Sequence, residues 1–246
     1  MQPEPPCTVT GAGGSYVDVY ESAAPDAKPL LDVAEGEDQV FRLGPRAGVG
    51  AERRLKIRYD DIVGWIDARY LACRLSPAEA RQQIETRARD AVVALKAYDM
   101  EHFSRFVHPV KGVRFSPYAY VEPSQDLVFS PTQVAGLQDD MSERLWGYYD
   151  GSGDPITLGF PGYYRRFVFD RDYSTAGNVA YNNNRSEGNT QDNSFEIYPG
   201  AIVVEFYVAG TGPAFQGADW RLLRLVFERH GEQWYVVGVV HGEWTI

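Results

Sequence analysis

The sequence YDDIVGWIDARYL, residues 59–71, decides how the first part of this chain is interpreted. Apolar and polar residues alternate around a central Gly-Trp pair, and a polar turn then leads to a closing Tyr-Leu. Alternation of this kind is typical of a half-buried β-strand. Similar short segments, separated by Gly, Pro and Asp, fill residues 8–73. This part of the chain is therefore predicted to be all-β, and its short strands favour a small barrel.

The composition restricts the class of protein. Of the 246 residues, 44% are hydrophobic and 13% aromatic, which is enough for a packed core in one large domain or two small ones. The net charge of −10, from 34 acidic and 24 basic residues, argues against nucleic acid as a partner, because phosphate backbones would be repelled. No apolar run approaches the roughly 18 residues of a membrane-spanning helix, so we expect no transmembrane segment.

A long helix is predicted to follow the β-rich region. The sequence SPAE, residues 76–79, has the pattern of a capping box, with Pro at the first helical position. The residues that follow carry apolar side chains at helical spacing. This change of pattern marks a boundary, and we predict two domains, residues 1–75 and residues 76–246.

The second domain mixes helical and β patterns. MEHFSRFVHP and GFPGYYRRFVF are predicted to be short helices, KGVRFSPYAYV a strand, and DLVFSPTQVAGL and ERLWGYYDGSGDPITL pieces of strand and turn. Three long strands are predicted from residue 201 to the end, with a hairpin turn at residues 230–232. The polar residues 181–200 are predicted to form a long exposed loop, and whether residues 181–198 order on binding stays open.

Residues 8–74 resemble a bacterial SH3 domain. YVDVYESAAPDAKPLLDVAEGEDQV matches the leading strands and VGWIDARYL the closing ones, whereas GPRAGVGAERRLK is longer and more Gly-rich than the usual connection. The family fold is a small β-barrel, and many members bind peptidoglycan or peptides at the cell envelope. The resemblance implies that Gly64 permits close strand approach and that Trp65 covers one end of the core. It also implies that surface aromatics contact the ligand, and the candidates are Tyr16, Tyr20, Trp65 and Tyr70.

The resemblance also suggests a role for the two cysteines. The first and last strands of such a barrel can lie close together, so Cys7 and Cys73 are expected to form a disulfide in an oxidising compartment. Two unrelated free thiols are the alternative. The first residues, MQPEPPC, lack the features of a signal peptide. The protein is then either cytosolic or numbered after a removed signal peptide, and we expect the second, with a periplasmic or secreted location.

Residues 76–246 resemble the NTF2-like (SnoaL-like) family. The long opening helix, its continuation KAYDMEHFSRFVHP and the closing meander RLLRLVFERHGEQWYVVGVVH carry the resemblance. HPVKGVRFSPYAYV, DGSGDPITL and WYVVGVVHGEWTI are also similar to stretches of uncharacterised secreted bacterial proteins. In this family helices pack on a curved antiparallel sheet and leave a pocket at its wide end. The expected fold class is therefore two domains, an all-β SH3-like barrel followed by an α+β NTF2-like cone.

Two histidines of the second domain are candidate general bases. His108 ends the second predicted helix, where it either faces the pocket as a neutral base or bonds to the backbone. His241 lies on the last predicted strand, and strict alternation puts it on the face of Tyr235, Val237 and Val239. That face becomes polar towards the chain end, so His241 lies either at a pocket rim or where the strand leaves the core.

Arg224 and several tyrosines are candidate ligand contacts. Arg224 alternates with apolar residues on the predicted penultimate strand, where its guanidinium either holds a carboxylate or projects into solvent. Tyrosine combines apolar area with a polar tip, so it suits sugar or peptide binding as well as core packing. The candidates for an exposed cleft in the middle of the chain are Tyr118, Tyr120 and Tyr163.

No metal and no cofactor is expected. Asp150 and Asp154 lack the spacing of an EF-hand loop, and a tight turn explains their positions. His102 and His108 have no neighbour that completes a zinc pattern. The sequence also contains no P-loop, dinucleotide-binding or nucleophile-elbow motif. No catalytic residue is therefore assigned beyond the two alternative histidines.

These observations favour a non-catalytic extracytoplasmic binding protein. The barrel is expected to bind peptidoglycan or a peptide, and the cone to hold a small ligand or a protein partner, for example an envelope protein. Two alternatives stay open. One is a hydrolase or isomerase that uses the cone pocket with a His or acidic general base. The other is an immunity or inhibitor protein against a basic envelope toxin, which the negative charge permits. The sequence leaves the ligand and the oligomeric state open.

Overall fold

The computed structural model describes residues 6–44, 54–184, 191–212 and 216–245. The chain divides into two compact units, Met1–Ser76 and Pro77–Ile246. In the described ranges it is mostly β, with three sheets and few helices. None of the helices found there combines the length and the apolar character that crossing a membrane requires.

The first unit contains seven strands in one sheet. They are β1 (Pro6–Val9), β2 (Tyr16–Tyr20), β3 (Pro29–Ala34), β4 (Val40–Arg42), β5 (Arg54–Tyr59), β6 (Ile62–Asp67) and β7 (Leu71–Cys73). Their order in the sheet is β3-β2-β6-β5-β4-β1-β7, and every pairing is antiparallel. The edge strands β3 and β7 are not paired with each other among the described residues. The prediction of a closed barrel is therefore corrected. Strand β7 has three residues and ends just before the chain enters the next unit, so it offers few backbone groups that could hydrogen-bond to β3 and close the sheet.

All seven strands of the first unit contribute to one apolar core. On β2, Val17 and Val19 point inward, while the alternate residues point outward. Gly64 is buried on β6, where a Cβ would collide with Val19, so its role in close strand approach is confirmed. Trp65, however, does not cover the core. Because side chains alternate along β6, Ile66 enters the core and Trp65 stays half-buried on the other face.

The predicted disulfide is present. Cys7 and Cys73 are directly opposite each other on the paired strands β1 and β7, and their sulfur atoms are bonded. Disulfides persist in oxidising compartments, so the bond is consistent with an extracytoplasmic location. The unusually long Gly-rich connection falls mainly on residues 45–53, which lie outside the described residues.

The second unit contains a six-stranded sheet and a separate hairpin. Its strands are β8 (Val113–Ser116), β9 (Leu127–Phe129), β10 (Arg144–Tyr148), β11 (Pro155–Leu158), β12 (Asn178–Tyr181), β13 (Ile202–Val208), β14 (Arg221–His230) and β15 (Gln233–Glu243). The large sheet has the order β12-β13-β14-β15-β8-β9, and β10 pairs only with β11. The expected antiparallel sheet is corrected at one place, because β8 runs parallel to β15. A long connection separates these two strands, so no tight hairpin forces them to run in opposite directions.

Five helices accompany the strands in the described part of the second unit. They are α1 (Pro77–Lys96), α2 (Met100–Ser104), α3 (Pro131–Ala135), α4 (Phe160–Phe167) and α5 (Ser194–Ile197). The long helix is confirmed as α1, which buries an Ala-rich face and contacts β12 and β13. The prediction of strand and turn for residues 126–137 is wrong in its second half, where a helix forms. Ser130 and Gln133 cap α3 reciprocally, the same pattern that predicted α1.

The polar segment 181–200 is not one long exposed loop. In its described part Tyr181 ends β12 with its side chain buried, and Asn193 and Ser194 are buried at the start of α5. Asn193 Oδ1 accepts a hydrogen bond from Val121 N at 2.7 Å, and Asn193 Nδ2 donates one to Val121 O at 2.9 Å. The side-chain amide of Asn193 thus pairs with the buried backbone of Val121 as a neighbouring strand would. The polar character of the segment does not reveal this buried pairing. Residues 185–190 of this segment lie outside the described residues.

Candidate functional site

The outward face of β2 forms one wall of a groove in the first unit. Because β2 alternates, Tyr16, Asp18 and Tyr20 share this face. The opposite wall comes from the 3₁₀ turn that follows β6. The groove has a volume of about 220 Å³ and is lined by Ala12, Tyr16, Val17, Asp18, Tyr20, Asp67, Arg69 and Tyr70.

The groove side chains hold one another in place. The Tyr20 hydroxyl donates to Asp18 Oδ2 at 3.2 Å, and the Arg54 guanidinium carbon lies 3.7 Å from the Tyr20 ring centroid. Across the groove, Asp67 Oδ2 lies 3.1 Å from Arg69 Nε, and the Arg69 guanidinium lies 4.7 Å from the centroid of the Tyr70 ring. Cation–π contacts and ion pairs therefore orient two of the three tyrosines before any ligand arrives.

Glu35 shapes the loop beside the groove. Its carboxylate accepts backbone hydrogen bonds from Gly11 N at 2.7 Å, Ala12 N at 3.2 Å, and Gly14 N. The bond from Gly14, with those from Gly11 and Ala12, lowers the pKa of Glu35 against a smaller opposing effect of burial. Gly11 and Gly14 both have positive φ, which suits glycine. Glu35 was not predicted as a functional residue. The glycine-rich sequence GAGG, residues 11–14, was the one indication, because such a loop requires a side chain to hold its backbone in place.

Three of the four predicted ligand contacts in this unit line the groove. Tyr16 is exposed, and Tyr20 and Tyr70 are partly buried. Trp65 is the exception. It lies directly across from Tyr20 and Lys56 in the sheet, and it does not line the groove. That these tyrosines bind a ligand stays a prediction.

Two of the three tyrosines predicted for the second domain line a second groove. Tyr118 and Tyr120 lie there with Tyr148. The prediction that Tyr163 contacts a ligand is corrected, because Tyr163 has no exposed surface and its ring stacks on that of Trp146 with 3.9 Å between centroids. Burial raises the pKa of Tyr163 well above its usual value. This part of the aromatic cluster is core.

Arg224 is also corrected as a ligand contact. It lies opposite Glu205 on the paired strand and is 1% exposed. Arg224 Nε lies 2.9 Å from Glu205 Oε2, and Nη1 lies 3.5 Å from Asp192 Oδ1. The guanidinium therefore holds carboxylates of its own chain. Glu205 was hidden in the apolar segment AIVVEFYV, and its partner comes from the neighbouring strand.

His108 bonds to the backbone at the turn that precedes β8. Its Nδ1 accepts hydrogen bonds from Val110 N at 3.1 Å and Lys111 N at 2.9 Å. Burial lowers the pKa of His108, which favours the neutral ring that such acceptance requires. The nitrogen lone pair that a base would use is thus engaged in holding the turn. The ring contacts His230, beside the β14–β15 hairpin, and is not near His241 at the far end of β15.

His241 does not share a face with Val237 as predicted. Val226 pairs with Gly238 and Phe227 with Val236, so a β-bulge at Val237 shifts the alternation by one residue. Val237 therefore packs on the other side of the sheet, with Val226. Sequence alternation fails here because a bulge leaves no periodic mark.

A buried ionic network surrounds His241. His241 Nε2 lies 3.3 Å from Asp170 Oδ2 and Nδ1 lies 3.2 Å from Pro117 O, so neither ring nitrogen is open to a ligand. Asp170 also accepts from the Tyr173 hydroxyl at 2.6 Å and lies 3.0 Å from Arg221 Nε. Burial opposes ionisation of Asp170, but His241, Tyr173 and Arg221 together lower its pKa to about 2. The network fixes this end of the sheet.

The same network extends to the end of β15. Glu243 accepts from Arg166 on α4 and pairs with Arg221 on β14, with 3.0 Å between Arg221 Nη2 and Glu243 Oε2. Sequence reasoning missed Asp170, Arg166 and Arg221, because their partners lie many residues away. The described ranges contain no cluster of three or more His, Cys, Asp or Glu side chains that could hold a metal ion.

Comparison with known proteins adds no relative to this geometry. Neither the protein-family models, nor the curated proteins, nor the solved structures give a match to this chain. Function must therefore be argued from the two grooves themselves.

Proposed function

We propose that this protein is an extracytoplasmic binding protein with an SH3-like first unit that binds peptides, including the stem peptides of peptidoglycan. The second unit, proposed to be NTF2-like, holds a small ligand or a protein partner. The observation that carries the proposal is the groove of the first unit, which gathers Tyr16, Tyr20 and Tyr70 beside charged side chains.

The groove chemistry suits a peptide. Tyrosine rings offer apolar area and a hydroxyl, and they are over-represented in peptide and protein recognition. Asp18 and Asp67 can pair with ammonium groups, and Arg69 with a carboxylate. A peptide that carries both ammonium and carboxylate groups complements this mixed lining. An uncharged glycan would leave the charged side chains of the groove unused.

The disulfide supports the proposed location. The Cys7–Cys73 disulfide joins the first and last strands of the unit, as expected for a small module in an oxidising compartment. The binding function is favoured over catalysis, because the imidazoles of His108 and His241 are both occupied by partners within the chain.

Co-sedimentation with peptidoglycan sacculi tests the proposal. The full chain is expected to pellet with intact sacculi and to lose binding when an amidase has removed the stem peptides. Tyr16→Ala combined with Tyr70→Ala is expected to weaken pelleting by about tenfold or more, since a few aromatic side chains carry much of the binding energy at such interfaces. Ile62→Ala is the matched control, because Ile62 is an exposed apolar residue of the same unit outside the groove. Absence of pelleting by the wild type, or equal pelleting by both variants, contradicts the proposal.

A further inference from the structure

A second groove of about 220 Å³ lies entirely within the second unit. It is lined by Pro117, Tyr118, Tyr120, Glu122, Gln125, Asp126, Gly147 and Tyr148. Tyr120 and Tyr148 are about half exposed, with relative exposures of 49% and 47%. The lining contains two carboxylates and no basic side chain, which distinguishes it from the groove of the first unit.

Asp126 is the unusual member of this lining. It is 9% exposed, and its Oδ2 accepts hydrogen bonds from Ser116 Oγ at 2.5 Å and Glu122 N at 2.9 Å. Oδ1 accepts no hydrogen bond from the described part of the chain, although the side chain lines the groove. Oδ1 is not one of the fully buried side-chain atoms without a partner in the described residues, so it stays open to the groove as an acceptor that a ligand can reach.

Hydrogen bonds hold the turn that presents Asp126. Asp126 N donates to Glu122 O at 2.9 Å, and the Arg114 guanidinium donates to the carbonyls of Pro123 at 3.2 Å and Asp126 at 3.0 Å. Among the aromatic side chains of the lining, the hydroxyl of Tyr118 accepts a hydrogen bond from Asp150 N at 3.2 Å. The carboxylates and at least one aromatic ring are thus positioned before a ligand binds, which reduces the entropy lost on binding.

We infer that this groove is a binding site for a primary alkylammonium group, with Asp126 Oδ1 and Glu122 as its anionic acceptors and Tyr118, Tyr120 and Tyr148 around its alkyl chain. The inference rests on the proposed function in one respect, namely that the second unit holds a ligand. It adds the site and the chemical class of that ligand.

The chemistry selects a primary amine from other cations. Aromatic faces attract cations in general, and quaternary ammonium groups are often held by rings alone. A quaternary group cannot donate a hydrogen bond, so it cannot use Asp126 Oδ1 as an acceptor. A primary ammonium has three donors and an apolar stem, and it can satisfy both the carboxylates and the rings.

The ionisation of Asp126 makes the binding depend on pH. Burial raises the pKa of Asp126 to about 6, against the hydrogen bonds from Ser116 and Glu122 and the charge of Arg114. The carboxylate of Glu122 reinforces the rise, and the phenols of Tyr163 and Tyr198 lie near the same group. An ammonium binds the ionised form, so affinity is expected to increase from pH 5 to pH 7.5.

Titration calorimetry on the full chain tests the inference. The probes are 1,5-diaminopentane as the primary amine and tetramethylammonium as the quaternary control, at pH 5 and pH 7.5. Asp126→Asn keeps one oxygen for the bonds from Ser116 and Glu122 but removes the anionic acceptor. Asp90→Asn, on the exposed side of α1, makes the same change of charge outside the groove.

We expect the wild type and Asp90→Asn to bind 1,5-diaminopentane equally, more tightly at pH 7.5, and Asp126→Asn to bind at least about tenfold more weakly. Tyr120→Ala is expected to weaken binding by several-fold. No binding by the wild type, equal binding by Asp126→Asn, or equal affinity for tetramethylammonium overturns the inference. Sacculus pelleting by Asp126→Asn reports the other groove, so failure of one proposal is distinguished from failure of the other.

Discussion

Asp126→Asn is expected to stabilise the second unit at high pH and to leave it nearly unchanged near pH 4. The pKa of Asp126 is raised from 3.8 to about 6, chiefly because burial disfavours the charged form. Between these values the unfolded chain is ionised while the folded protein still binds the proton, so the stability of the wild type falls as pH rises. A factor of ten in acid dissociation is worth about 1.4 kcal/mol, so ionised Asp126 costs about 3 kcal/mol above pH 7.

The measurement is the free energy of unfolding from urea titrations at pH 4 and pH 8. Pulsed hydrogen exchange of peptides from β14 and β15 reports the second unit alone. Asp126→Asn is expected to exceed the wild type by about 3 kcal/mol at pH 8 and by little at pH 4. Asp90→Asn controls for the change in net charge and is expected to show no such pH dependence. A difference between Asp126→Asn and wild type that is equal at both pH values would refute the reasoning.

Three further perturbations test the fold and the first groove. Replacing Cys7 and Cys73 by Ala removes a cross-link with a sequence separation of 66, and it is expected to lower the free energy of unfolding of the first unit by about 4 kcal/mol. Urea unfolding measures this change, and a decrease below about 1 kcal/mol contradicts the expectation. Asn193→Ala leaves the buried amide and carbonyl of Val121 unpaired, so it is expected to lower the free energy of unfolding by about 3 kcal/mol. Thermal unfolding measures the change, and an unchanged Tm argues against the pairing. Glu35→Ala releases the loop beside the groove and is expected to weaken sacculus binding without unfolding the protein; intact affinity excludes the anchoring role.

Local sequence patterns predicted the strands and helices whose signals lie within one short stretch of the chain. Alternation in YVDVY predicted a strand, and β2 has the valines in the core and Tyr16 and Tyr20 on the groove face, as such alternation requires. The capping pattern located the start of α1 at Pro77. The same capping pattern begins at Ser130, so the sequence contains the signal for α3, and the prediction of a turn there was wrong.

Features that depend on distant residues could not be predicted in this way. The β-bulge at Val237 changes the face of the last strand, because register is set by the pairing with β14. Arg224 is buried opposite Glu205 on the paired strand, and Asn193 pairs with the backbone of Val121, so both depend on partners from distant segments. The family resemblance implied that Trp65 covers one end of the core, whereas alternation along its own strand gives the observed face.

The most direct test of the account is chemical-shift mapping on the isotopically labelled full chain with a soluble stem peptide of peptidoglycan. We expect dose-dependent shifts concentrated on residues that line the first groove, namely the ring signals of Tyr16, Tyr20 and Tyr70 and the amides of Asp67, Arg69 and Tyr70. Shifts confined to other parts of the chain, or none at millimolar peptide, would contradict the claim that this groove binds peptides.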